Sequence, residues 1–126
     1  MKEVINVARC DQKIAHCLTE IGDGEGAITA AQKSLDVFIT AHDDYRETYS
    51  LFELGKAQIV AGQFEEGLNT LDRVLEIATD NENKDFEFIL EIEGRMADVL
   101  QNLGRIDEAD EIRRRIKAVE EIIKET

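Results

Sequence analysis

The chain has 126 residues, the length of one domain able to bury a continuous core, and its 43% hydrophobic content includes no run long enough to span a bilayer. A formal charge of −13, from 28 acids against 15 bases, argues against a phosphate-backbone binder, which needs a basic face. The amino terminus, MKEVINVARC, mixes charge into every turn and does not read as a secretory signal, so the expected location is cytoplasmic.

No proline occurs, and the eight glycines are the main helix breakers. Residues 2–21 carry Val4, Ile5, Ala8, Ile14, Ala15, Leu18 and Ile21 mostly at helical spacing, which predicts a first helix ended by GDGEG. Cys10 and Cys17 lie two turns apart on it, about 10 Å by helical rise and beyond disulfide reach, so both are expected to be small buried or half-buried hydrophobes. His16 points away from Cys17 around the helix, so the pair does not converge on a metal. Residues 25–41 carry Ala27, Ala30, Ala31, Leu35, Val37, Phe38 and Ile39, a stripe that widens toward its end and predicts a second helix.

After the break at His42 and Asp43, Asp44 followed by Glu47 resembles a capping box for a third helix that runs to residue 61 with Leu51, Leu54, Ala57 and Val60. Gly62 separates it from a fourth helix, residues 64–78, with Phe64, Leu68, Leu71, Val74 and Leu75. The polar run TDNENK follows, and Asn83 is the expected cap of a fifth helix carrying Phe86, Ile89, Leu90, Met96, Ala97, Val99, Leu100 and Leu103. Beyond Gly104, residues 106–123 place Ile106, Ala109, Ile112, Ile116, Val119 and Ile123 on one stripe of a sixth.

The breaks recur. Gly22 and Gly62 are 40 residues apart (62 − 22) and Gly62 and Gly104 are 42 apart (104 − 62), with Ala27, Gly67 and Ala109 each at the same offset after them. Such periodicity marks stacked helical hairpins, in which neighbours cover the apolar face that one unit cannot bury alone. The expected fold is all-α: one domain over residues 1–126, with three tandem antiparallel hairpins at about 2–41, 44–81 and 84–125 stacked as a right-handed α-solenoid.

Leu54-Gly55, Ala57, Gly62, Phe64, Gly67 and Leu71 make the middle hairpin resemble a tetratricopeptide repeat, with Ala15, Gly22 and Ala27 before it and Ala97, Leu100, Gly104 and Ala109 after it keeping parts of the pattern. The usual tryptophan and closing proline are missing, and the spacing exceeds the family's roughly 34 residues, as in its longer-repeat members. The resemblance implies a concave groove, lined by the first helix of each hairpin, that holds a peptide or helix of another protein. Its places fall on Arg9, Gln12, His16 and Thr19, on Tyr49, Phe52, Lys56 and Ile59, and on Glu91, Arg95, Asp98 and Gln101. Phe52 and Tyr49 would be apolar anchors, with Lys56, Arg9 and Arg95 as charge partners. A clamp for a terminal carboxylate does not fit, because Glu53 and Glu91 would repel the ligand.

Enzyme chemistry finds no foothold: there is no phosphate loop and no strand pattern, and the carboxylate runs at helix starts complement the helix dipole. The calcium-loop likeness of DNENKDFEFILE fails at Lys84 and Asp85, so neither metal nor cofactor is expected. The chain therefore reads as a non-catalytic module that binds another protein or peptide, and not nucleic acid or membrane. The alternative is a structural or homodimerising unit that uses Ile116, Val119, Ile122 and Ile123 of the last helix, or a piece of a longer repeat regulator.

Overall fold

The computed structural model describes residues 1–125. Among them are six helices and no strand: α1 (Lys2–Glu20), α2 (Gly24–Thr40), α3 (Asp44–Val60), α4 (Phe64–Asp80), α5 (Phe86–Asn102) and α6 (Ile106–Glu125). The fold is all-α, built from tandem helical repeats, and no helix is long and apolar enough to cross a membrane.

Four of the five junctions are the same three-residue device. After α1, the amide of Gly22 donates to the carbonyl of Thr19 and that of Asp23 to Leu18, the paired bonds of a Schellman ending. The same pair recurs from His42 and Asp43 to Ile39 and Phe38, from Gly62 and Gln63 to Ile59 and Gln58, and from Gly104 and Arg105 to Gln101 and Leu100. The motif needs a left-handed residue, supplied by Gly22, Gly62 and Gly104 at φ of 89°, 84° and 80° and by His42 at 55°. The residue that closes one helix also opens the next: the Asp23 carboxylate accepts from the Gly26 amide and that of Asp43 from Arg46. The cap of α3 is therefore Asp43, one residue before the expected Asp44. At the remaining junction, between α4 and α5, Asp85, not Asn83, caps α5 by accepting from Phe88, while Asn83 donates its backbone amide to the Asn81 side chain in a tight turn.

Two compact units result, residues 1–71 and 72–126, with the division inside α4. In the first, α2 packs on α1 and α3 around Phe38, Phe52 and Leu71, with Ala15, Ala27, Ala31 and Ala57 fully buried between the helix backbones. Glycines set the closest approaches. A Cβ on Gly24 would run into the backbone nitrogen of Ala61, and one on Gly67 would stand 2.6 Å from Ile59 Cγ1 and 3.1 Å from the Gly55 carbonyl oxygen. In the second unit α5 and α6 pack through Ile92, Ala97, Ala109 and Ile112. Cys10 and Cys17 are both exposed, contrary to expectation, because the buried face of α1 runs instead through Ala8, Gln12, Ala15 and Thr19.

Candidate functional site

The buried face of α1 steps by three and four residues, so Gln12 is carried inward with the alanines. Its amide nitrogen donates to the Arg46 carbonyl at 2.9 Å and to Ser50 Oγ at 2.7 Å. Ser50 Oγ is 2.9 Å from Ser34 Oγ, and Ser34 donates to the Ala31 carbonyl, so each hydroxyl passes its single proton onward. This relay ties α1 to α3 and α3 to α2 through buried polar atoms, each supplied with a partner.

One turn further along α3, Glu53 is fully buried. Lys56 Nζ lies 2.9 Å from its Oε1, and His16 Nδ1, from α1, lies 3.7 Å from its Oε2. Neither carboxylate oxygen has a hydrogen bond of good angle, so the Coulombic attraction of Lys56, which depends little on angle, is what stabilises the charge. Lys56 is itself buried, with its ammonium 4.5 Å from the centre of the Phe52 ring and 3.5 Å from His16 Nδ1. A neutral His16 protonated on Nε2 accepts from Lys56 through Nδ1.

Above this layer is an open pocket of about 380 Å³ lined by Arg9, Gln12, Lys13, His16, Cys17, Arg46 and Tyr49. Tyr49 packs edge-on to Phe52, with ring centres 6.4 Å apart, and remains 42% exposed. The Arg46 guanidinium lies 5.9 Å from the centre of the buried Phe38 ring, and its Nε is 3.3 Å from the Asp43 carboxylate that caps the same helix.

The groove places expected on α1 and α3 therefore fall into two layers. Gln12, Thr19, Phe52 and Lys56 are buried, Ile59 is half-buried, and Arg9, His16 and Tyr49 are exposed. Lys13 and Arg46 line the same pocket and escaped the sequence reading; the signal was Arg9 with Lys13 at i,i+4, and Arg46 one turn before Tyr49.

In the second unit Glu91, Arg95, Asp98 and Gln101 are all exposed on α5. Their charges are matched locally: Arg95 Nε is 3.8 Å from Glu91, and Asp98 is 3.8 Å from Arg113 of α6. A Cβ on Gly94 would meet nothing within 4 Å, so that place is open. The second unit also has a cleft of about 550 Å³ between the end of α4, α5 and α6, with Leu75, Phe86, Ile89 and Val119 among its walls. Glu93, also at its wall, is 3% exposed; burial pushes its carboxyl above the usual range, against the pull of Arg115, whose Nε is 3.3 Å away. On α6, Ile116 and Val119 are half-buried, and Ile122 and Ile123 are exposed. Among the described residues no group of three or more His, Cys, Asp or Glu side chains is placed to hold a metal ion.

Compared with solved structures, the chain matches the crystal structure of a point variant of a Podospora anserina protein of kinesin light chain type with nearly identical TPR-like repeats, at a TM-score of 0.74 and 19% identity. The fold is TPR-like. The match covers 94% of this chain and 57% of the other, so the chain spans somewhat over half the length of the structure it resembles. No family model matches the sequence, and no curated protein does. The TPR-like fold accounts for the tight contacts at Gly24, Gly55 and Gly67, where small residues let consecutive helices approach.

Proposed function

We propose that this TPR-like chain is a non-catalytic, cytoplasmic protein-interaction module that seats a peptide or helix of a partner protein on the α1–α3 face of its first unit. TPR-like repeat folds generally serve protein–protein interaction. The observation that carries the reading here is the pairing of an open pocket with a fixed floor. Gln12, Ser34 and Ser50 lock the helices together beneath Arg9, His16 and Tyr49, so side chains that a partner can reach stand on a pre-organised base. Tyr49 supplies a half-exposed aromatic anchor of the kind enriched in interfaces, and Arg9 and His16 supply polar contacts. Lys56, paired internally with Glu53, acts in the floor and not as a direct charge partner.

Panning a random peptide display against the chain, then mapping bound peptides by amide hydrogen exchange, tests this. Protection concentrated on α1 and α3, and lost with Tyr49→Ala, is the expected outcome; protection elsewhere, or no binder at all, refutes it.

Self-association is a second reading, favoured by the exposure of Ile122 and Ile123 on the last turns of α6. Light scattering across a concentration series separates the two, since a strict monomer removes the second.

A further inference from the structure

Helix α1 sets Arg9 and Lys13 one turn apart on one face, and the Gln12 bond to the Arg46 carbonyl holds the first turn of α3 against them. Three cationic side chains thus line one pocket whose lining includes no carboxylate, in a chain of net charge −13. Arg46 is partly matched by Asp43, which also caps α3, so its guanidinium is held in place. Arg9 and Lys13 make no ion pair among the described residues. A local inversion of sign on an acidic surface focuses the field on a small anion.

We propose that this pocket holds the phosphate of a phosphorylated side chain in the partner peptide; the proposal rests on the peptide-binding reading of the same face. Charge distribution selects phosphate over a run of acidic residues. A peptide with carboxylates spread along its length meets the repulsion of a chain whose net charge is −13 wherever it leaves the pocket. A phosphate concentrates a charge of about −1.5 to −2 and three acceptor oxygens at one point, where the Arg9 and Arg46 guanidinium groups can donate in pairs and Lys13 adds a third charge. Flanking residues of the partner that suit a chain of this net charge are neutral or basic.

The test is titration calorimetry with a capped heptapeptide of alanines and two lysines around a central phosphoserine, beside its serine and glutamate versions. At neutral pH the phosphopeptide, with its concentrated charge of about −1.5 to −2, is expected to bind about ten-fold more tightly than either. In the doubly substituted Arg9→Gln, Lys13→Gln chain, both sites being exposed on α1 and helicity checked by circular dichroism, the three peptides should agree to within about two-fold. Equal binding of the three to the unmodified chain, absence of phosphopeptide binding, or a preference that survives the double substitution overturns the proposal. Display-selected neutral peptides that protect α1 and α3 with no gain from phosphorylation sink the phosphate site alone. Failure of every peptide to protect that face sinks the interaction reading beneath it.

Discussion

The Lys56 ammonium sits between the Glu53 carboxylate, 2.9 Å from its Oε1, and the face of the Phe52 ring, 4.5 Å from its centre, with all three side chains buried. Removing one partner leaves the other charge stranded out of water. Lys56→Met is therefore expected to destabilise the first unit by roughly 3–5 kcal/mol, whereas Glu53→Leu combined with Lys56→Met should recover most of that loss or exceed it. Urea midpoints of the three proteins decide it, and a single variant costing under about 1 kcal/mol means Glu53 is not carried as a charge.

Glycine to alanine changes should split by position. At Gly24 the new methyl meets the backbone of Ala61, which cannot withdraw as a flexible side-chain tip can, and a loss of about 1–3 kcal/mol is expected. At Gly94 nothing lies within 4 Å of the new atom, and the alanine should stabilise α5 by about 0.5–1 kcal/mol through the stiffer unfolded chain. A thermal midpoint that Gly24→Ala fails to lower would contradict the packing described at Gly24, and one that Gly94→Ala lowers would contradict the open space at Gly94.

His42 occupies the left-handed place that glycine holds at the three matching junctions. His42→Gly should leave stability unchanged to within about 1 kcal/mol, since relief of the backbone offsets the added chain entropy. His42→Val, with a branched Cβ at φ 55°, should cost about 1–2 kcal/mol. The comparison is made by denaturant titration of the two variants, which should order as glycine above valine.

Glu93 gives the second unit a pH dependence of definite sign. Its carboxyl is raised by burial in the folded chain, so the stability tied to its neutral form is complete below the unfolded carboxylate range and lost as the pH rises through the raised folded value. Glu93→Gln cannot ionise. Its stability relative to the unsubstituted protein should increase as the pH rises from about 4 toward 7, partly offset by loss of the Arg115 ion pair. Denaturation midpoints of both proteins across that range measure the difference, and a constant difference rules the assignment out.

Both cysteines are exposed, so both thiols should react with a water-soluble disulfide reagent in the folded protein. Thiolate release followed by absorbance gives the count, and one or no reactive thiol before unfolding would contradict the orientation of α1.

Where the chain turns was largely legible, because the chemistry of turning is local. Gly22, Gly62 and Gly104 stand where a helix ending needs a left-handed residue. The cap of the third helix is Asp43 and not the expected Asp44, since the cap is fixed by the Schellman ending of the preceding helix and not by the acidic pair itself. The cap at Asp85 was missed for a related reason: Asn83 is a good cap by composition but is used in its own turn.

Depth was the part that sequence could not supply. The angular position of Gln12, Phe52 and Lys56 on their helices follows from a 3.6-residue period, and so do the close contacts of Gly55 and Gly67. Periodicity gives a direction around one axis, however, and says nothing of what covers it. Whether Lys56 reaches a partner or a buried carboxylate depends on α1 arriving, forty residues earlier in the chain, with His16 beside it. The sequence by itself determined the helices, their breaks and the small residues between them, because these follow from backbone preferences acting over a few residues. Only the tertiary structure decided that Phe52, Lys56 and Gln12 form a floor, that Cys10 and Cys17 face water, and that Arg9, Lys13 and Arg46 share one pocket. Burial and charge neighbourhood are properties of packed pairs of helices, and no stretch of one helix encodes its partner.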